Sequence, residues 1–321
     1  MLNPKLKTWL IVLSIPVIYA LILRLVFDID ILHSFATVMS LSFFMGVPFG
    51  VGYLTILLSE KEKTKKLLFR VFAPWMPIFV FLMLTLMLAI EGWACWLMIL
   101  PIFLAFASLG GLTAGYFRHR RDHPSEKLRV SLVLCLPFLL SSIEHFIPAL
   151  PARYEAYTFI DIHAGADTIW NNVVRVRAIS RQQDHGTLTS WLGFPRPIRA
   201  ELDYAGVGGS RQAIFSKGLI FEEVVKEYIP QKKMHFSIKA DPYKIPSTTM
   251  DKHVVIGGDY FDVLDGTYRL ERLGDNYYRL HLYSHFTLKT TFNFYASWWA
   301  GLIMKDIQTN ILQVIQTRCQ G

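Results

Sequence analysis

The sequence has little cysteine and lacks the short motifs that mark hydrolytic, zinc-dependent or nucleotide-dependent catalysis. Its three cysteines, Cys95, Cys135 and Cys319, are too widely spaced to predict a disulfide framework or a zinc site. No G-x-S-x-G nucleophile elbow, H-E-x-x-H zinc motif or phosphate-binding P-loop occurs in it. The glycine-rich stretch at 206–211 has no following helix and is predicted to be a turn between strands. The sequence therefore predicts neither a metal nor a cofactor.

Charged residues are also scarce, at 18%, and they are distributed unevenly. In residues 1–150 the basic ones are concentrated in short loops between apolar stretches. In residues 151–321 both signs are interspersed, as on a solvated surface. The net charge of +8 therefore does not form the clustered basic face that binds nucleic acid, and no nucleic-acid partner is predicted. Hydrophobic residues make up 52% of the chain, and their excess lies in the first half, which predicts a membrane region.

Five apolar stretches in that half are long enough to cross a bilayer, which takes a helix of about 20 apolar residues. They are 8–27, 34–58, 72–91, 93–116 and 130–150. Small residues are frequent at 46–53 and 108–115, which predicts close helix packing. We therefore predict a membrane α-helical bundle of about five spans over residues 1–150. The chain would be an integral membrane protein of a bacterial inner membrane.

The basic residues predict the orientation of this bundle. Lys and Arg cluster at the N-terminus, at 61–70 and at 118–129, and such clusters stay in the cytoplasm. Five spans would then place residues 151–321 on the outer, periplasmic face. The stretch 130–150 contains Glu144 and His145, and if it lies along the surface, four spans remain and the second domain is cytoplasmic.

Three ionisable residues, Arg24, Glu91 and Glu144, are predicted near the outer ends of their helices. Charged groups cost less at the bilayer interface than at its centre, so they form either an interfacial charge cluster or a polar entrance coupled to the next domain.

The second half has the alternating patterns of a soluble α+β domain. A strand near 157–162 precedes a short helix that Asp167 or Ala166 is predicted to cap and that carries Trp170 on its apolar stripe. About six strands follow, with breaks at Gly218, 229–233 and 274–276, and a long helix ends the chain. In that helix, apolar residues from Trp298 to Ile315 recur at helical spacing.

Three stretches of this half resemble the START-like helix-grip superfamily, also called SRPBCC or polyketide-cyclase-like. They are FIDIHAGADTIWNNV at 159–173, EYIPQKKMHFSI at 227–238, and YRLHLYSHF at 278–286 together with the helix from 298 to 315. Ala164 and Trp170 match the opening pattern of the family, whereas Gly165 replaces its usual proline. The resemblance covers residues 157–319 and implies a curved antiparallel sheet around a long C-terminal helix, with an apolar pocket between them. We predict that residues 155–319 fold without the membrane half.

The implied pocket has eight candidate ligand-binding residues, most of them aromatic. They are Trp170, Phe221, Tyr268, His281, Tyr283, His285, Trp298 and Trp299. On the strand at 279–286, His281, Tyr283 and His285 share one face and Leu280 and Leu282 the other, and the pattern does not decide which one faces the helix. Residues four apart on a strand are separated by about 13 Å, so His281 and His285 cannot bind one metal ion.

Three functions remain open. The favoured one is a membrane-anchored binding module for a lipid or another hydrophobic small molecule, with membrane lipids as its surroundings. The second is a sensor or assembly factor that binds a protein partner. The third is a cyclase- or isomerase-type enzyme for a hydrophobic substrate, which the sequence disfavours but does not exclude. An apolar inward-facing set with a few polar groups would indicate binding, and a converging His–carboxylate pair would indicate catalysis.

Overall fold

The computed structural model describes residues 3–29, 37–119, 126–147, 149–240, 257–258 and 260–320. Their contacts divide the chain into two compact units, Met1–Ala149 and Leu150–Gly321. The first unit is helical, and the second combines a sheet with helices.

The helices of the first unit follow the predicted apolar stretches. They are α1 (Pro4–Val26), a π-helical turn (Ser42–Gly46) that continues into α2 (Val47–Leu58), α3 (Leu67–Phe72), α4 (Trp75–Met87), α5 (Trp93–His119) and α6 (Glu126–Glu144).

Among the described residues, three helical stretches are long and apolar enough to cross a membrane: Lys5–Val26, Leu67–Met87 and Trp93–His119. The helix Ser42–Leu58 is apolar but shorter. Residues 34–36 of the predicted second span and 120–125 of the second basic loop lie outside the described residues. The count of five spans stays a prediction.

Close packing of α2 on α5 depends on two glycines. A Cβ at Gly52 would collide with the carbonyl of Ala107, and a Cβ at Gly110 would collide with the carbonyl of Phe49. Only glycine lets the two backbones approach this closely, as the small-residue stretches predicted. Larger side chains at either position would force the helices apart.

Arg118 and Glu144 lie at opposite ends of this helical unit. Arg118, at the end of α5, donates to the carbonyls of Ile56 and Ser59 at the end of α2. At the start of the π-helical turn, the Glu144 carboxylate accepts from the backbone N–H groups of Leu41 and Ser42 at 2.8 Å each. Because Ser42 and Leu58 are at opposite ends of one helical segment, α6 ends at the opposite end of the unit from Arg118.

The other two predicted ionisable residues are paired. The Arg24 guanidinium is buried and donates to the Glu91 carboxylate, and it lies 3.5 Å from Asp28. Arg24 therefore forms a buried ion pair with Glu91, and Glu144 accepts hydrogen bonds from backbone N–H groups.

The second unit contains a seven-stranded antiparallel sheet. Its strands are β1 (Ala152–His163), β2 (Pro197–Leu202), β3 (Ser210–Phe215), β4 (Ile220–Ile229), β5 (Lys233–Ala240), β6 (Phe261–Gly274) and β7 (Tyr277–Leu288). Their order in the sheet is β1-β7-β6-β5-β4-β3-β2. The last strand, β7, therefore pairs with the first, β1, and every other pair of neighbours is consecutive in the sequence. The turns fall at the predicted breaks, with positive φ angles at Gly218, Gln231 and Asn276.

Three helices complete this unit: α7 (Ala166–Val174), α8 (Leu188–Leu192) and α9 (Asn293–Gln320). The predicted cap of α7 was wrong by one residue, because Gly165 occupies the N-cap with extended dihedrals and no side-chain cap bond. Glycine ranks close to the hydroxyl and amide residues at that position.

The core of the second unit is formed by α7, the strands and the C-terminal part of α9. Trp170 from α7, Phe236 from β5, Leu282 from β7 and Ile315 from α9 belong to one buried cluster. The Gln308 side chain on α9 donates to Ser284 Oγ on β7 at 2.9 Å. The long helix therefore lies on the face of the sheet that carries Ser284.

Candidate functional site

The face of the sheet under α9, which we call the concave face, is defined by strand register. Ser284 lies on it, so Leu280, Leu282 and Phe286, at alternate positions, lie on it too. Cross-strand partners share a face, which adds Tyr268 on β6, opposite Leu282. Continuing across the sheet adds a largely buried, apolar set from β2 to β5. It comprises Ala200, Leu202, Ala213, Phe221, Val225, Tyr228, Met234, Phe236 and Ile238.

One ion pair interrupts this apolar face. Arg211 on β3 and Glu223 on β4 are direct cross-strand partners, and the guanidinium Nη1 donates to Glu223 Oε2. Both side chains are buried, at 3% and 6% exposure. Burying two charges costs several kcal/mol each unless close pairing and further hydrogen bonds compensate. A pair in this position is therefore a feature that the fold itself does not require.

Aromatic rings surround the guanidinium. Its Cζ lies 5.4 Å from the ring centroid of Phe236 and 5.9 Å from that of Tyr268. Sheet curvature brings Tyr268 on β6 close to Arg211 although two strands separate them. Ring faces carry partial negative charge, so they stabilise the cation where water is excluded.

Burial controls the ionisation of this cluster. It raises the pKa of the Glu223 carboxyl above its ordinary value, and Arg211 offsets part of that rise. Burial lowers the pKa of Arg211, but Glu223 and the Tyr268 phenol raise it by more, so the guanidinium stays charged. Burial also raises the pKa of Tyr268, whose phenol stays protonated and able to donate.

The guanidinium has spare donor capacity. Among the described residues, the buried Nε of Arg211 has no hydrogen-bond partner, although the Tyr268 phenol interacts with the same guanidinium. An unmatched buried N–H costs about 1–3 kcal/mol. A polar or anionic group placed on the concave face beside Arg211 would remove that cost.

Sequence reasoning missed Arg211 and its pairing with Glu223. A signal was present, because Glu223 lies at the alternate position between Phe221 and Val225 on one strand face. Arg211 likewise lies two residues before Ala213, on the same face of its strand. An ionisable residue at an inward position of a strand is a recognisable exception to the binary pattern.

Three of the eight predicted ligand-binding residues lie on or against the concave face. Trp170 is buried in α7 and donates from Nε1 to the Tyr228 hydroxyl at 3.0 Å. Tyr268 is buried beside Arg211. Phe221 is partly buried and contacts the Phe215 ring edge-on at 5.1 Å.

Three others lie on the opposite, convex face of the sheet. The rings of Tyr283 and Tyr157 stack at 4.7 Å. His281 bonds to Tyr157 through Nδ1 at 2.8 Å and to Glu271 through Nε2 at 2.9 Å.

His285 lies on the same convex face. Its Nδ1 is 2.6 Å from Asp265. The carboxylate contacts of His281 and His285 are therefore on the side away from α9, and these three predicted residues do not join Trp170 and Tyr268.

The last two predicted residues lie near the start of α9. Trp298 is exposed, and its ring contacts Trp299 edge-on at 4.9 Å. Trp299 is partly buried. The structure does not bring either of them to the Arg211–Glu223 pair.

Comparison with known proteins extends the description of the fold only. No family model matches the sequence, and no curated protein matches it. Solved structures similar to the chain include an uncharacterized protein from Bacillus thuringiensis, with 12% identity, a TM-score of 0.33, and coverage of 52% of this chain and 100% of that one.

Two further solved structures are similar to this chain at the same level of sequence identity and TM-score. Norcoclaurine synthase from Thalictrum flavum, in complex with dopamine and hydroxybenzaldehyde, has 12% identity, a TM-score of 0.32, and coverage of 52% of this chain and 86% of that one. A START superfamily protein from Mycobacterium smegmatis has 9% identity, a TM-score of 0.33, and coverage of 52% and 97%. Likeness at this level transfers no ligand or activity. The long helix packed on a seven-stranded antiparallel sheet agrees with the helix-grip arrangement predicted for this half.

Proposed function

We propose that this chain is a membrane-anchored binding protein for a hydrophobic small molecule that carries one polar or anionic group. The ligand binds on the concave face of the second unit. Its apolar part packs against the aromatic and aliphatic side chains of β4 to β7. Its polar group accepts a hydrogen bond from Arg211.

The unmatched Nε–H of Arg211 is the observation that carries this proposal. Arg211 already gives one N–H to Glu223, so the pair is nearly neutral and can be buried. Nε–H remains for a ligand, and binding would satisfy it without breaking the ion pair. Ligand sites commonly combine an apolar lining with a few polar groups that fix orientation.

The apolar lining supports a hydrophobic guest. Each methylene group that a ligand buries contributes about 0.8 kcal/mol. Micromolar affinity corresponds to about 8 kcal/mol, which is the contribution of about ten buried methylene groups before the cost of association is counted. The contact to Arg211 would select the ligand by its polar end. The three long apolar helices of the first unit support anchoring in the bilayer, where such ligands are concentrated.

Binding accounts for the concave face better than acid–base catalysis does. The histidine–carboxylate contacts of His281 and His285 lie on the convex face. On the concave face, the Glu223 carboxylate already accepts a hydrogen bond from the Arg211 guanidinium, although burial raises its pKa. This arrangement favours orientation of a ligand over proton transfer.

Native mass spectrometry of the full chain, incubated with phosphatidylglycerol, phosphatidylethanolamine and oleate, tests the proposal. Lipids bound around the apolar helices leave as collisional activation rises, so a ligand enclosed by the second unit should be retained longest. The matched variant is the double substitution Arg211→Met with Glu223→Leu, since replacing a buried ion pair by apolar residues of similar size is often neutral for stability.

We expect the double variant to keep its peripheral lipids and lose the strongly retained species. Retention that is equal in both proteins would contradict the role of Arg211. The absence of any retained species in the unmodified protein would contradict ligand binding of this class and favour a protein partner.

A further inference from the structure

An exposed apolar stripe runs along the first turns of α9. Phe294, Trp298 and Leu302 are spaced four residues apart, so they lie on one side of the helix. Their exposed fractions are 73%, 57% and 37%. We call these three residues the α9 stripe.

The stripe lies on a different side of α9 from the residues that pack on the sheet. In the same part of the helix, Ala296, Ala300 and Met304 pack against the buried cluster of Ala156, Phe286 and Leu288 on β1 and β7. The apolar residues of this part of the helix therefore form two sides, one against the sheet and one exposed. Clustered exposed aromatic and aliphatic side chains mark an interaction surface more often than they occur by chance.

The start of α9 is tied to the place where the chain enters the second unit. Asn293 Nδ2 donates to the carbonyl of Leu150 at 3.1 Å and to that of Leu288 at 3.3 Å. Glu144, the last residue of the apolar helix α6, precedes Leu150 by only six residues. Six residues span at most about 20 Å when fully extended. The stripe therefore begins beside Leu150, which only a short length of chain separates from the apolar helix α6.

The junction itself is apolar. Ile143, Phe146, Ile147 and Leu150 are all exposed large hydrophobic residues. Side chains of this kind between an apolar helix and a soluble domain fit the boundary between lipid headgroups and acyl chains better than they fit water.

Charge favours a lipid surface as well. Lys289 precedes the stripe and Lys305 follows it, and both are exposed. The one carboxylate of α9, on Asp306, is directed to Thr187, Leu188 and Thr189 through hydrogen bonds. The stripe is thus flanked by basic groups, which anionic headgroups attract by about 1 kcal/mol per Lys or Arg near the membrane surface. Tryptophan is enriched at this depth because its ring is amphipathic.

We propose that the α9 stripe inserts into the headgroup–acyl boundary of an anionic lipid bilayer and holds the second unit against the membrane. The inference rests on the membrane anchoring that forms part of the proposed function. It gives Trp298 a different role from pocket lining, since its ring would contact lipid outside the domain.

Site-directed spin labelling of the full chain tests this proposal in vesicles of phosphatidylcholine and phosphatidylglycerol. Single cysteines replace Phe294 or Trp298 in a background in which Cys95, Cys135 and Cys319 are changed to serine. Collision with oxygen, which concentrates in lipid, is compared with collision with a water-soluble nickel chelate. Ile18→Cys on the exposed side of α1 reports whether the apolar helices are in the bilayer.

Val207→Cys is the matched control for an exposed apolar residue of the second unit. Its exposed fraction is 62%, and it lies in the β2–β3 hairpin, at the opposite end of the sheet from Leu288 and Asn293. We expect labels at 294, 298 and 18 to collide more with oxygen than with the nickel chelate, and the label at 207 to show the reverse order.

If the label at 18 is in lipid while those at 294 and 298 behave like the one at 207, the stripe proposal is overturned and membrane anchoring stands. If the labels at 294 and 298 are shielded from both reagents, protein covers the stripe and the proposal is equally overturned. A water-exposed label at position 18 would overturn the anchoring itself, and the stripe proposal with it. None of these outcomes bears on whether Arg211 binds a ligand.

Discussion

Gln308, midway along α9, donates from Nε2 to Ser284 Oγ on β7 at 2.9 Å, and both side chains are buried. The same amide group donates to the carbonyl of Ala156 and accepts from the Thr158 hydroxyl, each at 3.1 Å. One side chain of the helix therefore connects β1 and β7. Polar contacts of this kind are directional, so they fix the position of α9 along the sheet, whereas the surrounding apolar contacts permit sliding.

We predict that residues 150–321 fold without the first unit, because their main core cluster is drawn entirely from this segment. A fragment that begins at residue 155 would lose the pairing of Ala152 with Leu288 and the stacking of Tyr154 on Phe286 at 5.6 Å. Urea unfolding followed by circular dichroism should show a cooperative transition for the longer fragment and a lower midpoint for the shorter one. A non-cooperative transition in residues 150–321 would show that the unit depends on the helical half.

In that fragment, Gln308→Leu should lower the free energy of unfolding by at least about 2 kcal/mol, because it leaves buried partners on β1 and β7 unsatisfied. Thr309→Ala is the matched control, since Thr309 is the next residue of the helix and is exposed. The control should change the free energy of unfolding by less than about 0.5 kcal/mol. Similar values for the two variants would mean that the Gln308 contacts contribute nothing specific.

Trp170→Ala should lower the free energy of unfolding by about 3–5 kcal/mol, as expected for a large aromatic side chain removed from a core. Trp170 is only 4% exposed, and its loss would also remove the donor to the Tyr228 hydroxyl. Trp191→Ala is the comparison, because Trp191 is 59% exposed. A loss below about 1 kcal/mol at Trp170 would show that the first helix does not pack as described.

The elements of the second unit were predictable because local chemistry determines them. Gly218 adopts a positive φ of 80° at the predicted break between strands, and the apolar stripe of α7 buries Trp170 as its spacing predicted. The candidate site was less predictable. The alternation of side chains along β7 places His281 and Leu282 on opposite faces of the sheet but does not show which face α9 covers. The sheet curvature that brings Tyr268 close to Arg211 has no signal in the local sequence.

The α9 stripe was unpredictable for a related reason. Trp298 and Leu302 continue the helical spacing of the core residues, so the sequence pattern does not show which apolar residues of the first turns face the sheet and which are exposed. That division depends on tertiary packing between elements far apart in the chain.

The contact between Asp306 and the segment before β2 should make stability pH-dependent. The carboxylate accepts from the backbone N–H and hydroxyl of Thr189 at 2.9 and 2.6 Å, and from Thr187 and Leu188. Burial acts to raise the pKa of Asp306, but the hydrogen bonds from Thr189 and its neighbours outweigh it and hold that pKa below the ordinary value of 3.8. The carboxylate thus stabilises the folded state above about pH 4, and this contribution is lost as pH falls through the lowered pKa.

Asp306→Asn should therefore lower the free energy of unfolding near neutral pH by about 0.5–2 kcal/mol, the range measured for lost helix caps. The difference from the unmodified fragment should narrow as pH drops below 4, and urea titrations at several pH values would measure it. Asp275→Asn, at a side chain that is 96% exposed, should show no comparable loss at neutral pH. A constant difference at all pH values would exclude the ionised carboxylate as the cause.

The outer placement of the second unit is the remaining prediction, and the first unit supports it. Arg118 lies at the end of that unit where α2 ends, and Glu144 lies at the opposite end, where the π-helical turn begins. Lys and Arg stay in the cytoplasm during insertion, so the chain should leave the bundle on the outer side after α6.

Asp275→Cys, in the exposed β6–β7 hairpin of a chain without other cysteines, provides a reporter of the side on which the second unit lies. A membrane-impermeant maleimide should label it in intact cells once permeation of any outer membrane is ensured. Labelling only after lysis would place the concave face in the cytoplasm, where a ligand for Arg211 would arrive from the inner leaflet or the cytosol.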